Sequence, residues 1–413
     1  MRNEDTKAIV VGGGIGGLTL ALLLQRAEIE VDVYEAAPEL KPLGVGINIL
    51  PHASAVLCGE LGLESALARH AVLTREAAFF NRFGQFIFSE PLGRAAGNAW
   101  PQFSIHRADL HRVLLDATNE RLGSERIHVG WRCTGVSQDA VSAHATFEDA
   151  RTGTPLSREH GAIVIGCDGL HSVIRKHLHP NEGEPIYSGV NMWRGVTRWP
   201  PILSGATMIR AGWFTPGKLV AYPVRNNVDG EGRQLVNWLA EVATPEHAAR
   251  DWNRRGELED FVHLFDDWRF DWLDVPAFLR AADLILEFPM IDQDPLPFWT
   301  AGRVTLAGDA AHPMYPRGSN GAGQAILDAE SLAAELARTR DWPQALHAYE
   351  QTRLPATAAV VRMTRTNPPD AILREVYERT GDRPFERIDD VISRNEMMNL
   401  LDRYRRVTAG QPS

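Results

Sequence analysis

The stretch Lys7–Glu35, KAIVVGGGIGGLTLALLLQRAEIEVDVYE, decides the fold. A short β-branched run stops at Gly12, and an apolar helical pattern follows Gly17. Gly12 permits a tight turn, Gly14 lets the backbone approach a pyrophosphate, and Gly17 allows the helix to pack closely on the strand. A second strand then ends at Glu35, where an acidic side chain accepts hydrogen bonds from a ribose. The stretch predicts dinucleotide binding, and its place near the start of the chain favours FAD over NAD, although the loop alone does not decide between them.

Two later strands also end in an aspartate beside a glycine. Ala162–Arg175 reads AIVIGCDGLHSVIR and contains Asp168 and Gly169, and Val304–Gln324 reads VTLAGDAAHPMYPRGSNGAGQ and contains Asp309. Ligands of open α/β sheets bind beyond the carboxyl ends of the strands, so both aspartates are candidates to face the first glycine turn. The alternative is that each aspartate only caps a helix, a role worth about 1 kcal/mol. Three such strand ends in one chain favour the ligand site.

The second half of Val304–Gln324 is rich in glycine and precedes a long helical pattern. Gly318, Gly321 and Ala322 lie where a shaped loop enters this helix. Backbone N–H groups and the positive end of a helix dipole at such a point favour an anionic or electron-rich group. On this stretch alone, an ordinary strand-to-helix connection is a serious alternative.

Two further positions are candidates for contact with a bound dinucleotide. The apolar segment Gly44–Pro51, GVGINILP, carries Gly46 and could lie flat against a ring or serve as a simple loop. Arg107 stands just before a helix, and it could neutralise a phosphate or ribose edge, or pair with a surface carboxylate. The sequence leaves these alternatives open.

Composition narrows the class of protein. The 413 residues carry a net charge of −10, with 44% hydrophobic and 23% charged residues, which is typical of a soluble globular protein of two or three structural units. An acidic balance argues against nucleic acid as a partner. No apolar run reaches the roughly 18 residues of a membrane span. Neither the start of the chain nor its cysteines indicate export, a disulfide scaffold or a metal site, so we expect a cytoplasmic protein with reduced thiols.

The pattern changes between residues 187 and 289, where alternating, aromatic-rich segments predict antiparallel strands. We therefore expect an α/β fold with an FAD-binding domain of residues 1–180 and 290–365, an inserted β-sheet domain of residues 181–289 that binds substrate, and a C-terminal helical tail of residues 366–413. Trp193, Tyr222 and Trp238 are candidates for the wall of a substrate pocket. The alternative, that the tryptophans of this insert fill a core, applies to most of them.

Three motifs together carry a resemblance to a known family. They are the glycine turn that leads to Glu35, DGxxS from Asp168 to Ser172, and GDAAHxxxPxGxxG from Gly308 to Gly321. In this order and spacing, over roughly Lys7–Thr364, they resemble the group A FAD-dependent aromatic monooxygenases, which share the para-hydroxybenzoate hydroxylase fold. Within that family, the segments PLGVGINILP, IHRADL, MWRGV and YPRGSNGAGQAILD are most similar to phenazine hydroxylases that act on 5-methylphenazine-1-carboxylate.

The resemblance implies roles for individual residues. It implies that Glu35 binds the adenosine ribose, that Arg107 and Asp309 hold the rest of a non-covalent FAD, and that Asp168 and Gly169 serve both FAD and NADH or NADPH. It also implies that the backbone from Gly318 to Ala322 faces the flavin ring. Arg317 departs from the neutral residue expected there. It would favour an anionic substrate if its side chain entered the pocket, and would mean nothing if it pointed outward.

The same resemblance implies a reaction. NAD(P)H and molecular oxygen would be used to hydroxylate an aromatic or N-heteroaromatic carboxylate or phenol through a flavin C4a-hydroperoxide. Reduction without oxygen incorporation, decarboxylative hydroxylation and Baeyer–Villiger insertion remain alternatives. No catalytic base is identified, because His312 could act on a proton or merely brace its loop, and Tyr222 could equally be a wall of the pocket. A homodimer is a further expectation about assembly.

Overall fold

The computed structural model describes residues 7–38, 45–244 and 254–408, and all structural statements below concern these residues. Twenty-one strands and ten α-helices are present among them. In chain order, the strands are β1 (Ala8–Val11), β2 (Val31–Glu35), β3 (Gly46–Ile49), β4 (Ala71–Thr74), β5 (Glu76–Phe80), β6 (Phe86–Pro91), β7 (Gln102–His106), β8 (Ile127–Val129), β9 (Trp131–Gln138), β10 (Ala143–Asp149), β11 (Glu159–Gly161), β12 (Ile163–Gly166), β13 (Ile186–Trp199), β14 (Thr207–Trp213), β15 (Gly217–Arg225), β16 (Gln234–Ala243), β17 (Arg254–Arg255), β18 (Arg269–Phe270), β19 (Leu273–Asp274), β20 (Ala282–Asp292) and β21 (Val304–Leu306).

The helices alternate with strands in the first half of the chain and follow one another at its end. They are α1 (Ile15–Arg26), α2 (Pro51–Ser54), α3 (Glu64–Ala68), α4 (Arg107–Leu122), α5 (Val173–Leu178), α6 (Val275–Arg280), α7 (Gly321–Arg338), α8 (Trp342–Thr366), α9 (Ala371–Thr380) and α10 (Arg394–Thr408). A π-helical turn, Ala55–Glu60, directly follows α2.

The first structural layer is a parallel sheet with the strand order β21-β12-β1-β2-β8. All four neighbouring pairs in it are parallel. Its central strands are apolar and buried, which is typical of a parallel sheet covered by helices on both faces. Helices α1 and α7 pack against each other on this layer. The carboxyl ends of β1, β2, β12 and β21 lie along one edge of the sheet.

The second layer is an eight-stranded sheet with the order β17-β20-β13-β16-β15-β14-β5-β6. It is antiparallel except where β14 runs parallel to β5. One face packs on an aromatic core that includes Phe261, Phe265 and Phe278. The other face packs on a second core, to which the C-terminal helices contribute Ile372 and Leu401. This second face points towards the candidate site.

A small sheet of β3, β7 and β4 joins the two layers. The N–H of Gly46 donates to Asn237 Oδ1 at 2.6 Å, and Arg194 Nη2 donates to the carbonyl oxygen of Gly46 at 3.0 Å. A Cβ placed on Gly46 would lie 2.6 Å from the Cβ of Asn237, so only glycine fits here. The predicted architecture, a Rossmann-like sheet with an inserted, mainly antiparallel sheet and C-terminal helices, is confirmed.

Candidate active site

The first glycine turn packs directly on the end of the neighbouring strand β12. Gly12 has φ +110°, and a Cβ at this position would lie 2.2 Å from the carbonyl oxygen of Cys167. A Cβ on Gly17 would lie 2.0 Å from the carbonyl oxygen of Gly12. Around Gly14, by contrast, the corresponding space is open. The turn is therefore closed on its protein side and open on the side where a ligand could approach.

Glu35 ends β2 with its carboxylate turned back over this turn. The N–H of Gly13 donates to Oε2 and the N–H of Ala37 donates to Oε1, each at 2.7 Å. Each carboxylate oxygen can accept more than one hydrogen bond. The side chain is thus held in place by the protein and keeps acceptor capacity for a pair of hydroxyl groups.

Asp168 caps a helix as well as ending a strand. Its carboxylate accepts from Ser172 Oγ at 2.5 Å and from the N–H of Val173 at 2.9 Å, at the start of α5. Burial raises the pKa of Asp168, although these hydrogen bonds act in the opposite direction. Gly169 follows with open space beside it. Asp168 thus contributes to capping α5 together with Ser172, which is the N-cap residue itself, and it leaves Gly169 accessible.

Asp309 and Arg107 have no such protein partners. Both residues are exposed, and neither side chain forms a hydrogen bond or an ion pair with any other residue that the structure describes. A Cβ on Gly321 would lie 3.8 Å from Asp309 Oδ1, which places the carboxylate beside the start of α7. The N–H of Arg107 donates to the carbonyl oxygen of Val45 at 3.0 Å, next to β3. An unpaired carboxylate and an unpaired guanidinium thus flank the site.

Two helix N-termini at the site lack side-chain caps. Gly14, which has no side chain, precedes α1. Asn320 precedes α7, and its side chain accepts no hydrogen bond from a backbone N–H of that helix. No acidic residue stands in the first turn of either helix. Their free N–H groups and positive dipole ends suit a pyrophosphate and an electron-rich ring system. Together with the open turn and Glu35, these features fit FAD.

A buried network holds the loop between β21 and α7. Asp328, which is fully buried, accepts from the N–H of Gly308 at 2.9 Å, from Arg353 Nε at 2.8 Å and from His312 Nε2 at a short distance. Burial alone would raise the pKa of Asp328, but the nearby charges of His312 and Arg353 lower it to about 2. His312 therefore braces the loop, which was one of the two roles left open by the sequence.

A cavity of about 550 Å³ opens beside this loop. Its wall includes four parts: the segment Leu50–His52 with Gly318 and Ser319, the strand residues Met208 and Arg210 of the large sheet, the segment Phe88–Gly93, and side chains of α10. Its size falls in the range of small-molecule sites in proteins. The volume between the cofactor elements and the large sheet is thus large enough for an aromatic ligand.

The predicted substrate residues occupy different faces of the large sheet. Trp193 stacks on Phe261 with ring centroids 5.0 Å apart, and the Nε1 of Trp238 donates to Thr197 Oγ1 at 3.0 Å within the aromatic core. Neither tryptophan lines the cavity, because alternation along β13 and β16 turns both to the opposite face. Tyr222 belongs to the core on the cavity side.

Tyr222 and Arg317 are both buried. Burial raises the pKa of Tyr222 above its ordinary value, and the nearby charge of Arg194 only partly offsets that rise. The Cζ of Arg317 lies 4.9 Å from the Phe214 ring centroid, and its Nη1 is 3.5 Å from the carbonyl oxygen of Thr364. Arg317 does not line the cavity, so its guanidinium packs inside the protein rather than pointing at a ligand.

Three contributions to the cavity were not predicted. Arg210 and His52 line it, and α10 supplies a whole wall that includes Tyr404. Burial and the charge of Arg353 lower the pKa of His52 to about 4. A single arginine in an alternating strand and a charged C-terminal helix carry no local signal of such a role, since only the folded chain brings them to the cavity beside Gly318 and Ser319.

Comparison with known proteins identifies the family. The family model described as "FAD binding domain" matches residues 5–207 and 293–364. The chain belongs to the FAD-dependent aromatic monooxygenases. It is 44% identical over 367 residues to a phenazine 1,6-dicarboxylic acid hydroxylase, PhzS, of Lysobacter antibioticus, with 87% of this chain and 89% of that protein covered. It is 34% identical to the 3-amino-4-hydroxybenzoate 2-monooxygenase PtmB3 of Streptomyces platensis, with 94% and 95% covered.

A solved structure agrees on the fold of this flavoprotein monooxygenase. Klebsiella pneumoniae HpxO, in complex with FAD and uric acid, superimposes with a TM-score of 0.79 at 24% identity, over 98% of this chain and 97% of that one. The cofactor of the family is FAD, and the open turns described above fit it. Within the described ranges, no helix has both the length and the apolar character required to cross a bilayer.

Proposed function

We propose that this monooxygenase hydroxylates an aromatic or N-heteroaromatic carboxylate or phenol with NADH or NADPH and molecular oxygen as co-substrates. The observation that carries this proposal is the cavity of about 550 Å³ that opens beside Gly318 and Ser319, next to the uncapped start of α7. The relatives named above, which act on a phenazine dicarboxylic acid and an aminohydroxybenzoate, support a planar aromatic substrate.

The residues of the first layer would hold the cofactor along its length. We assign Gly12, Gly14 and Gly17 to the turn at the pyrophosphate, Glu35 to the ribose, and Gly46 to the loop beside the ring. We assign Arg107, Asp168, Gly169 and Asp309 to the remaining polar contacts, as the sequence predicted. FAD, when bound, supplies the transfer of electrons from the nicotinamide to oxygen and of one oxygen atom to the aromatic ring.

The protein contributes an electrostatic environment for the cofactor. The N–H groups of Gly321 and Ala322 lie in the first turn of α7, where the helix dipole adds positive potential that stabilises negative charge on the ring system. His52 is neutral at pH 7, since its pKa is about 4, so it offers a hydrogen-bonding group without adding a charge to the cavity. Gly318 belongs to the same flavin-facing backbone.

Tyr222 does not line the cavity, but it belongs to the core on the cavity side of the large sheet, and we propose that it supports the wall behind the substrate. It is 4% exposed, and the charge of Arg194 partly offsets the rise in its pKa that burial causes. We do not retain Trp193, Trp238 or Arg317 in that role, because their side chains pack away from the cavity. No residue is assigned as a catalytic base.

We also propose a domain organisation, a cellular location and an oligomeric state. Residues 1–180 and 290–365 would form the FAD-binding domain, residues 181–289 the substrate-binding sheet, and residues 366–413 the tail that closes the cavity. The family model, which matches residues 5–207 and 293–364, supports a discontinuous first domain. Three free cysteines agree with a cytoplasmic location. A homodimer is proposed for solution and is tested by light scattering of the holoenzyme.

The experiment that tests the function is a substrate screen on purified holoenzyme. Aromatic carboxylates, phenols and N-heteroaromatic acids are added singly, and NADH and NADPH oxidation is followed by absorbance. We expect at least one compound to stimulate oxidation and to yield a hydroxylated product in proportion to the oxygen consumed. Stimulated oxidation that continues unchanged without oxygen, with a reduced product, would contradict the proposal and indicate a reductase.

A further inference from the structure

A group of charged side chains is buried behind the cavity, on the same side of the large sheet. Lys218 is 1% exposed, and its Nζ lies 2.8 Å from Glu241 Oε2 and also contacts Asp370 Oδ2. Arg210 is 8% exposed, with its Nε 3.5 Å from Asp370 Oδ1. Asp370, just before α9, is therefore shared by two cations.

Positive charge exceeds negative charge in this group. Its two carboxylates, Asp370 and Glu241, face Lys218, Arg210 and also Arg317, whose charge acts on Asp370. Burial would raise the pKa of Asp370, but the three cations together hold it below its usual value. Arg317 has no carboxylate partner in the described part of the chain. A buried excess cation is costly unless an anion compensates for it.

Most of the charged side chains that line the cavity are also positive. Arg210 lines it near the sheet, and the exposed residues Arg394 and Arg405 line it on α10. Glu90 is the one carboxylate among the described lining residues, and it is already paired with Arg405. An anion would therefore be attracted at the solvent end and again inside.

Arg210 lines the cavity and has hydrogen-bond donors that the described residues leave weakly paired or unpaired. Its Nη2 points at Met208 Sδ, 3.2 Å away, and a thioether sulfur is only a weak acceptor. Its Nη1 has no hydrogen-bond partner within the described residues, whereas the Nε is oriented by Asp370. A guanidinium held on one side and free on the other suits bidentate binding of a carboxylate.

We propose that Arg210 binds the carboxylate of the aromatic substrate and that Asp370 positions its guanidinium. This inference rests on the proposed function, because it assigns a substrate group to the same cavity. It also distinguishes Arg210 from Arg317, whose guanidinium lies against Phe214 and Tyr315 and does not reach the cavity.

The test compares acids with their neutral amides as ligands of the oxidised holoenzyme. The probes are phenazine-1-carboxylate with phenazine-1-carboxamide, and 3-amino-4-hydroxybenzoate with its amide, and binding is followed through the absorption spectrum of bound FAD. We expect the wild-type enzyme to bind at least one acid about 10-fold or more tightly than its amide. Arg210→Gln should weaken binding of that acid by about 10- to 100-fold, as expected for loss of a hydrogen bond to a charged group. Binding of the amide should weaken by less than about 3-fold.

The control is Arg198→Gln, on strand β13. Arg198 is exposed and its Nη1 lies 3.8 Å from Asp283 Oδ2, away from the cavity, so both ligands should bind as in the wild type. Equal weakening of acid and amide by Arg210→Gln, or a preserved preference for the acid, would overturn the proposal. Wild-type enzyme that binds neither acid, or binds acid and amide equally, would overturn it without any variant.

Failure of the carboxylate site is distinguishable from failure of the proposed function. Ligand binding to the oxidised holoenzyme requires no turnover. An acid preference that Arg210→Gln abolishes, in an enzyme that never forms a hydroxylated product, would leave the binding site standing and refute the hydroxylase assignment. Formation of a hydroxylated product by an enzyme that shows no preference for the acid would support the hydroxylase assignment and refute the carboxylate site.

Discussion

Asp309 and Asp168 end similar strands, but their carboxylates have different surroundings. Asp168 is tied to the start of α5 by three hydrogen bonds, whereas Asp309 is exposed and has no partner among the described residues. A polar side chain that contributes no hydrogen bond to the fold is available to a ligand. A substitution at Asp309 should therefore affect cofactor binding much more than it affects folding.

Replacing Asp309 with alanine should weaken FAD binding and leave the apoprotein stable. We expect the Kd for FAD to rise about 10-fold or more, since a hydrogen bond to a charged group contributes about 1.5–3 kcal/mol. The free energy of unfolding of the apoprotein should change by less than about 0.5 kcal/mol. Fluorescence titration with FAD and urea denaturation measure the two quantities. Full retention of FAD by the variant after gel filtration would refute this role.

His52 gives a pH dependence with a definite sign. Its pKa is about 4 in the folded protein, lowered mainly by burial, against an ordinary value of 6.5. Between these values only the unfolded chain takes up the proton, so the contribution of His52 to stability is complete above pH 6.5 and is lost as the pH falls towards 4. We expect the fall in unfolding free energy between pH 7 and pH 5 to be smaller in apoprotein with His52→Gln than in wild-type apoprotein. Equal losses in the two proteins would show that His52 is not the group responsible.

The strand ends of the first layer could be predicted because their signals are local. The turn at Gly12 and the acid at Glu35 lie within one short stretch, and Gly12 and Gly17 each have a steric reason that the sequence spacing reveals. The faces of the large sheet could not be assigned in this way. Alternation divides the residues of each strand between two faces, but it does not relate Trp193 on β13 to Tyr222 on β15, nor does it show which face meets the cofactor.

The contribution of helix α10 to the site could not be predicted from its local sequence either. Its sequence is rich in charged residues, yet Leu401 and Tyr404 are buried and line the cavity together with Gly318 and Ser319. The hydroxyl of Tyr404 donates to the carbonyl oxygen of Arg317 at 3.2 Å and also contacts Asn320 Nδ2. This contact depends on tertiary packing and has no counterpart in local pattern.

Tyr404→Phe should therefore destabilise the loop that α10 covers. The change leaves the carbonyl oxygen of Arg317 and the amide of Asn320 without their buried partner, which costs about 1–3 kcal/mol. Tyr377→Phe on α9 is the matched control, because the Tyr377 hydroxyl makes no hydrogen bond in the described ranges. Its cost should stay below about 0.5 kcal/mol. Urea denaturation that gives equal losses for the two variants would contradict a bracing role for Tyr404.

At the scale of the whole molecule, cofactor binding and folding should be linked. FAD would contact strand ends, helix N-termini and the loop covered by α10, all of which exist only in the folded chain. A ligand that binds only the native state at 100 times its Kd stabilises it by about 2.7 kcal/mol. We expect FAD to raise the melting temperature of the apoprotein in a concentration-dependent way. FMN, which lacks the adenosine half assigned to Glu35 and the first glycine turn, should have a much smaller effect, and an equal effect of FMN would contradict that assignment.

The central claim is that the chain transfers one atom of molecular oxygen to an aromatic ring. The most direct measurement is mass spectrometry of the product formed by holoenzyme, NADH and an accepted aromatic carboxylate under ¹⁸O₂. The account predicts one ¹⁸O atom in each hydroxylated product, and none when the label is supplied as water. A product that forms with NADH oxidation but contains no oxygen from ¹⁸O₂ would contradict it.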